Sequence, residues 1–352
     1  MVKVIIKRTF IMIGLTLLII LLGLYCIMWV CVNGPSERAR ELFVLSVRET
    51  SAVGFLANLY CSQDEIDAIE AKQKVEVLEI TDTSLIKIEG TTESPTKEAD
   101  SGTNQNESPP AQETTEPSAS ENKPEEPIEF HQVYGATYKG IMMIVKDPSR
   151  VIVGTSAPAY EEGVAGKKVV DMIASYNAVG GVNAGGFEDP QGTGDGGIPK
   201  GIVISEGTFR FGSMDARYEI IGFNQDNVLV VGTMTGEQAV NMGIRDAVSF
   251  GPILVVNKEA TKASQGGGLN PRTAIGQRED GAVLLLVIDG RQSSSLGASY
   301  SDITQVMLDF GAVNAANLDG GSSSVMYYEG ELLNSCSSLY GPREMPTCFV
   351  VK

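Results

Sequence analysis

A long run of uncharged residues near the start of the chain limits the possible folds more than any other feature. Residues 9–32 contain no charged side chain, and they follow Lys3, Lys7 and Arg8. At about 1.5 Å per residue, a helix of that length spans about 36 Å, which is enough to cross a hydrocarbon core of about 30 Å. The sequence therefore predicts a transmembrane helix over residues 9–32 and a short tail over residues 1–8.

A cleaved signal peptide is the competing interpretation of this run. Its apolar region would be only about 7 to 15 residues long and would end in small residues. Here Tyr25, Met28 and Trp29 occupy the end of the run, so an uncleaved signal anchor is favoured over cleavage or over lipidation of Cys26. The basic flank predicts that the N-terminus lies in the cytoplasm. We therefore expect a single-pass cell-membrane protein whose remaining chain is extracytoplasmic.

The composition divides that remaining chain into three parts. Residues 33–89 have helical and then alternating apolar spacing, with a capping-box signature at Ser62–Glu65, which predicts a small juxtamembrane stalk of helices and strands. Residues 90–127 are rich in Thr, Ser, Glu and Pro, and a segment of that kind buries too little apolar surface to fold. They predict a disordered tether that leads to a folded domain over residues 128–352.

The folded domain contains many short apolar runs separated by glycine-rich turns. Two stretches have helical spacing instead, one at about 168–177 and one that starts with Ser301 as its N-cap and stops at Gly311. Many strands with few helices predict an α+β domain built on a mixed β-sheet.

Charge and rare residues exclude several classes of function. The net charge is -17, which argues against a nucleic-acid partner. The single histidine, His131, excludes a Ser-His-Asp triad and a multi-histidine zinc site, so an enzyme of this sequence would use carboxylates. The five cysteines lack C-x-x-C spacing. Cys336 and Cys348 either close a short loop or remain free thiols.

Two asparagine and glycine motifs follow predicted strands. In the second, Asn317 and Asp319 end a strand and are followed by Gly320, Gly321, Ser322 and Ser323. Glycines there let backbone N–H groups approach a ligand closely and form an anion-binding nest, whereas the simpler interpretation is a solvated turn. The first motif, with Asn183, Gly185 and Gly186, repeats this arrangement. Its asparagine suits a sugar hydroxyl or acetamide, or else it belongs to a tight turn.

Two arginines also lie at predicted strand ends. Arg272 precedes an apolar strand, and Asp289 and Arg291 follow the next one. A guanidinium binds phosphate or carboxylate through two parallel hydrogen bonds, although surface salt bridges are the common alternative. The long segment 188–201, rich in Gly, Pro and Asp, predicts a loop that covers a site.

Taken in order, these motifs resemble the phosphodiester glycosidase family. The resemblance covers most of the chain from Gly135 onward, and the matching stretches are 183–187, 199–207, 222–231, 249–255, 272–276, 289–291 and 317–323. The ending around Arg343 matches the family's pattern only loosely, so no role is assigned to Arg343.

The resemblance implies hydrolysis of a sugar, typically α-linked N-acetylglucosamine, attached through its anomeric carbon to a phosphodiester. On this resemblance, Asp289 and Asp319 are the two candidates for the catalytic carboxylate, which would stabilise an oxocarbenium-like transition state as nucleophile or as base for water. Arg272 and Arg291, with the turn Gly320, Gly321 and Ser322, would hold the phosphate, and Asn183 and Asn317 would orient the sugar. Gly185, Gly186 and Ser323 are further candidates for contact with the substrate or its phosphate. No cofactor is required, and whether Asp289, Asp319 or Glu188 holds Ca²⁺ or Mg²⁺ is left open.

Two other functions remain compatible with the sequence. One is a non-catalytic surface module that binds phosphate-linked wall glycans, and the other is a phosphodiesterase that cleaves P–O bonds. We favour the glycosidase, because a pure binder has no need for two strand-end carboxylates beside arginines. The oligomeric state is not predicted.

Overall fold

The computed structural model describes residues 2–50, 53–72, 81–88, 127–190, 194–338 and 340–352, with side chains from residue 6 onward. The predicted tether therefore lies, apart from Pro127, outside the described residues, as does the predicted strand at 75–80. The helices are α1 (Val2–Asn33), α2 (Glu37–Arg48), α3 (Gln63–Ala71), α4 (Val169–Ser175), α5 (Gly236–Asn241) and α6 (Tyr300–Asp309). Short 3₁₀ turns lie at Gly54–Leu59, Thr83–Leu85, Pro148–Arg150, Lys262–Ser264 and Gly321–Ser323.

The first helix has the length and composition of a membrane span. Within the described residues, the stretch Ile6–Asn33 is apolar enough to cross a bilayer, and the protein buries none of its most apolar window. This apolar helix is compatible with the predicted signal anchor.

Three large sheets and one two-stranded ribbon form most of the rest of the described fold. The first has seven strands in the order β1 (Ile128–Tyr134), β2 (Lys139–Val145), β14 (Val283–Ile288), β13 (Arg272–Arg278), β15 (Ala312–Leu318), β11 (Ile253–Val256) and β12 (Glu259–Ala260). The second has the order β7 (Thr208–Phe211), β6 (Val203–Ser205), β10 (Ile244–Ser249), β8 (Arg217–Asn224) and β9 (Leu229–Thr235). The third has the order β17 (Glu331–Leu332), β16 (Met326–Tyr328), β5 (Gly180–Asn183), β19 (Thr347–Val351) and β3 (Val151–Thr155), and a small ribbon pairs β18 (Glu344–Met345) with β4 (Lys167–Lys168).

The α+β class is confirmed, but the sheets are antiparallel rather than mixed in the described residues. Each of the described strand pairs runs antiparallel, from the β1–β2 hairpin to the pairing of β19 with β3 and β5. Short turns such as 135–138 join sequential strands directly, whereas a parallel pair needs a long crossover connection.

The main core lies where the three sheets meet. Met143 of the first sheet, Phe223 of the second and Phe349 of the third belong to one buried cluster, and the two phenylalanine rings meet edge to face with centroids 6.3 Å apart. Helix α6 covers the other side of the first sheet through Ile303 and Met307. The sheets are therefore fixed against one another, and so are the loops at their shared edge.

Two boundaries differ from the sequence-based expectation. Helix α6 begins one residue before Ser301, because Ser299 is its N-cap and forms a capping box with Asp302. In the predicted stalk, α2 and the Ser62 capping box of α3 are present, but residues 83–85 form a 3₁₀ turn instead of a strand. Ile86 is buried against Val228 and Val313 of the folded domain.

Candidate active site

Antiparallel pairing brings the predicted site residues to one edge of the first sheet. Strand β13 lies between β14 and β15 and runs opposite to both, with Arg272 facing Ile288 and Thr273 facing Leu318. The start of β13 therefore lies beside the ends of its two neighbours. This register explains why Arg272, the segment 289–291 and Asp319 meet, although they are far apart in sequence.

A cavity of about 860 Å³ opens at this edge. The predicted site residues that line it are Gly186, Arg272, Arg291, Asp319, Gly320, Gly321, Ser322 and Ser323. Four others are not among the described residues that line it: Asn183, Gly185, Asp289 and Asn317.

Of the two predicted catalytic carboxylates, Asp319 is the one among the residues that line this cavity. Its backbone is clamped, because its N–H donates to the Ala184 carbonyl at 2.9 Å and its carbonyl accepts from Asn183 Nδ2 at 2.6 Å. Asp319 lines the cavity and is half-buried. Desolvation by burial raises the pKa of Asp319 to about 6, against the smaller lowering effects of the Ser323 hydroxyl and the Arg343 guanidinium. A carboxyl group of this kind changes its charge close to neutral pH.

The two predicted arginines lie side by side in the cavity wall. Arg272 is only 4% exposed and stacks on the Tyr300 ring, with its guanidinium carbon 4.0 Å from the ring centroid. Burial lowers the pKa of Arg291, and the neighbouring positive charge of Arg272 lowers it further. Gly321 adopts a positive φ of 63°, and a Cβ there would lie 3.2 Å from Arg291 Nη2. The absence of a side chain at Gly321 therefore lets the 320–323 turn lie close to the guanidinium.

A carboxylate from the membrane-proximal segment occupies the anion-binding position beside these arginines. Glu49, just after α2, accepts hydrogen bonds from Arg272 Nη2 at 2.6 Å, from Asn270 Nδ2 at 2.9 Å and from the Gly268 N–H at 3.1 Å. Thr50 accepts from Arg291 Nη2 at 2.8 Å. No sequence signal predicts this contact, because Glu49 is one of many acidic residues and belongs to no functional motif.

The asparagines hold the backbone around the cavity. Asn183 Oδ1 accepts from Thr273 Oγ1 at 2.8 Å and from the Val325 N–H at 3.1 Å, while its amide nitrogen holds Asp319. Gly185 N–H donates to Thr347 Oγ1. Asn317 is buried and donates to the Gly251 carbonyl at 2.8 Å. The Asn183 side chain therefore helps to hold the backbone of Asp319, and contact of these residues with a sugar stays a prediction.

Asp289 has its hydrogen bonds on the other side of the sheet edge. It is 6% exposed, and its Oδ1 accepts from the Ser335 N–H at 2.8 Å and from Asn334 Nδ2 at 3.3 Å, while Lys139 Nζ lies 3.8 Å from Oδ2. Asn334 also donates to the Ser324 carbonyl. Asp289 therefore fixes the loop that follows the Gly320–Ser323 turn.

Asp189 and Arg343 complete the cavity, and sequence reasoning assigned neither. Two hydrogen bonds of 2.8 Å join the Arg343 guanidinium to the Asp189 carboxylate, and Arg343 also lies over the Phe187 ring. The Arg343 contact is the main cause that lowers the pKa of Asp189. Asp189 belongs to the predicted covering loop, of which residues 191–193 lie outside the described residues.

The cysteines and the carboxylates show no further site in the part of the chain that the structure describes. Cys336 and Cys348 are both free, and Cys348 is buried against Met172. The predicted short loop closure is therefore absent from this structure. Among the described residues, no group of three or more His, Cys, Asp or Glu side chains is arranged to hold a metal ion. The described residues therefore assign no ligands to a Ca²⁺ or Mg²⁺ ion.

Comparisons with known proteins identify the family of this chain and a similar fold. The chain is 29% identical over 180 residues to the SPbeta prophage-derived uncharacterized protein YomE of Bacillus subtilis (strain 168), which covers 48% of this chain and 27% of that protein. The chain thus matches about a quarter of that relative. In fold it resembles the catalytic domain of zebrafish N-acetylglucosamine-1-phosphodiester α-N-acetylglucosaminidase, solved auto-inhibited by its pro-peptide, with 20% identity, a TM-score of 0.54, and coverage of 66% of this chain and 86% of that one. The family model described as phosphodiester glycosidase matches residues 176–352, half of the chain, and the chain belongs to the phosphodiester glycosidase family.

Proposed function

We propose that this chain is a membrane-anchored hydrolase that cleaves the bond between the anomeric carbon of a sugar and a phosphodiester in phosphate-linked surface glycans. The sugar would be α-linked N-acetylglucosamine, and the folded domain would lie outside the cell. The observation that carries the proposal is the meeting of Asp319, Arg272 and Arg291 around one cavity. Such a cavity would present two guanidinium groups to a leaving phosphate and the Asp319 carboxylate to the sugar.

The arginines would stabilise the leaving group. A phosphodiester leaves as an anion, so its expulsion needs electrostatic stabilisation more than protonation. Arg272 and Arg291 would supply this charge. The Gly321 N–H in the neighbouring turn donates to the Pro271 carbonyl at 2.9 Å, so the guanidinium groups carry this part of the proposal. The Glu49 carboxylate shows that an oxyanion fits between Arg272, Asn270 and the Gly268 N–H.

Asp319 would act on the sugar. Cleavage at the anomeric carbon passes through an oxocarbenium-like transition state, which an ionised carboxylate stabilises as a nucleophile or as the base that activates water. The clamped backbone of Asp319 keeps the carboxylate in place. Asp289 would contribute by positioning the loop at 334–335 rather than by touching the sugar.

Glu49 would compete with the substrate for this site. Its carboxylate occupies the anion-binding position beside Arg272. The zebrafish relative offers a parallel, because its catalytic domain is auto-inhibited by its pro-peptide. A phosphodiester would have to displace the Glu49 carboxylate before Arg272 could contact it.

Hydrolysis in ¹⁸O-labelled water tests the proposed bond cleavage. The full-length chain in detergent, and its Glu49→Ala variant, would be given a sugar-1-phosphodiester such as a UDP-linked N-acetylhexosamine. Label on the released sugar is the expected result, because water attacks carbon. Label on the phosphate would instead identify a P–O cleaving phosphodiesterase. Saturable binding without turnover of several donors would indicate a glycan-binding module.

The pH profile tests the role of Asp319. If the ionised carboxylate is the active form, kcat/KM falls about tenfold per pH unit below pH about 6, because protonation removes the charge that the sugar needs. Arg343 lowers this pKa, so Arg343→Gln should move the acid limb to higher pH. An acid limb near pH 4, or activity lost as the pH rises through 6, would contradict this role.

A further inference from the structure

A second groove continues from the active-site cavity. It has a volume of about 600 Å³ and lies between the end of the covering loop and strand β7 with the segment that connects β7 to β8. Lys200 lines both the groove and the cavity, so the two spaces adjoin at this residue. A ligand that extends beyond the Asp319 cavity in this direction enters the groove.

The groove carries two cationic side chains without carboxylate partners. Within the described residues, no carboxylate lies within 4.0 Å of the charged nitrogens of Lys200 or Arg210, whereas Arg245, Arg272 and Arg343 are each ion-paired. The guanidinium of Arg210 makes one hydrogen bond, of 3.4 Å, to the Pro158 carbonyl, and its buried Nε has no partner in the described residues. In a chain of net charge -17, two such neighbouring cations indicate an external anion.

Aromatic side chains form the rest of the groove. Phe209, Phe211 and Tyr218 are each half-buried and line it. Ligand sites commonly combine such aromatic surface with a few charged groups that fix orientation, and the apolar face of a sugar ring packs well against an aromatic ring. Glu188 is the carboxylate among the lining residues, which leaves the groove with an excess of positive charge. A sugar that carries a phosphate fits both properties.

We propose that this groove is a second subsite, which binds the neighbouring sugar-phosphate unit of the substrate through Arg210 and Lys200. The inference rests on the proposed function. It specifies that the substrate is a polymer with a phosphate in successive units rather than a single nucleotide-linked sugar. The chemical class is a chain of phosphodiester-linked sugars, such as a teichoic-acid-like glycan.

The test compares a single-unit sugar-1-phosphodiester with a defined oligomer of at least three phosphodiester-linked sugars. The enzyme would be the full-length chain in detergent with Arg210→Gln. We expect kcat/KM for the oligomer to fall about tenfold or more, which corresponds to the loss of a charged hydrogen bond, while kcat/KM for the single unit stays within twofold. Lys200→Gln, at an exposed position, should also lower oligomer turnover and gives a second reading if Arg210→Gln folds poorly.

Arg217→Gln is the matched control. Arg217 lies in the same sheet as Arg210, is exposed and donates to the Thr233 carbonyl. The Arg217→Gln substitution therefore removes the same charge at a position away from the groove. Equal losses for both substrates, or a loss of similar size in Arg217→Gln, would overturn the subsite. If the wild-type chain cleaves neither substrate, the proposed function fails, and oligomer affinity then decides: weaker binding by Arg210→Gln alone supports the subsite, and unchanged binding overturns it.

Discussion

Asparagine in place of Asp319 is expected to lower kcat by about 10²- to 10⁴-fold, the range for loss of a positioned catalytic carboxylate. Asparagine has nearly the same shape, so the clamp on the Asp319 backbone by Ala184 and Asn183 should persist. It removes a negative charge that burial already disfavours. The free energy of unfolding should therefore change little or increase, whereas kcat should fall strongly.

The measurement is single-turnover cleavage of a sugar-1-phosphodiester by the full-length chain, with the melting temperature and phosphate affinity measured beside it. Asp289→Asn is the matched control, because its Oδ1 can still accept from the Ser335 N–H. We expect its loss of kcat to be much smaller. Equal losses for the two variants would restore Asp289 to the catalytic pair, and near-wild-type turnover by a folded Asp319→Asn variant would remove Asp319 from the mechanism.

Much of this site could be predicted because its parts occur at the ends of strands. Glycines and polar residues at the two ends of apolar runs mark Arg272 and Asp319, and antiparallel register then places them together. The sequence also predicted the apolar N-terminal helix and the α+β class from composition and periodicity alone. These features depend on local chemistry that each short stretch carries by itself.

The roles of individual side chains were harder to predict, because they depend on which way each side chain points. Asp289 and Asp319 look equivalent in sequence, since each follows an apolar strand. They differ in the structure because Asn334 and Ser335 approach Asp289, whereas Asp319 meets Ser323 and Arg343 in the cavity. No local pattern reports which loop returns to a given strand end. For the same reason, the sequence did not predict the pairing of Arg343 with Asp189.

The contact of Glu49 with the arginines lies furthest from what sequence could predict. Its donors come from Gly268, Asn270 and Arg272, more than two hundred residues away. Gly268 makes the approach possible, because a Cβ there would lie 2.2 Å from the Ser46 nitrogen. A segment assigned to a stalk is thus fitted against the active site.

Glu49→Ala is expected to lower KM for a sugar-1-phosphodiester by about 10- to 100-fold, because the substrate no longer competes with an internal carboxylate held by charged hydrogen bonds. Chain connection keeps this carboxylate at high local concentration, which strengthens the competition. Since kcat depends on Asp319, it should change much less. Glu41→Ala is the matched control, because Glu41 lies on α2, the helix that ends just before Glu49, and pairs with Lys72 away from the cavity.

Inorganic phosphate separates competition from simple damage to the fold. Removal of Glu49 leaves Arg272 buried without its anion, so Glu49→Ala should melt at a lower temperature than the wild-type chain when no ligand is present. Added phosphate would refill the position and should raise the melting temperature of Glu49→Ala more than that of the wild type, because a ligand that binds only the folded state stabilises it in proportion to its affinity. A lower melting temperature that phosphate does not restore, with an unchanged KM, would mean that Glu49 only holds the segment in place. Recovery together with a lower KM would mean that the membrane-proximal segment limits access to the arginines, and that whatever draws this segment away from the domain controls the enzyme.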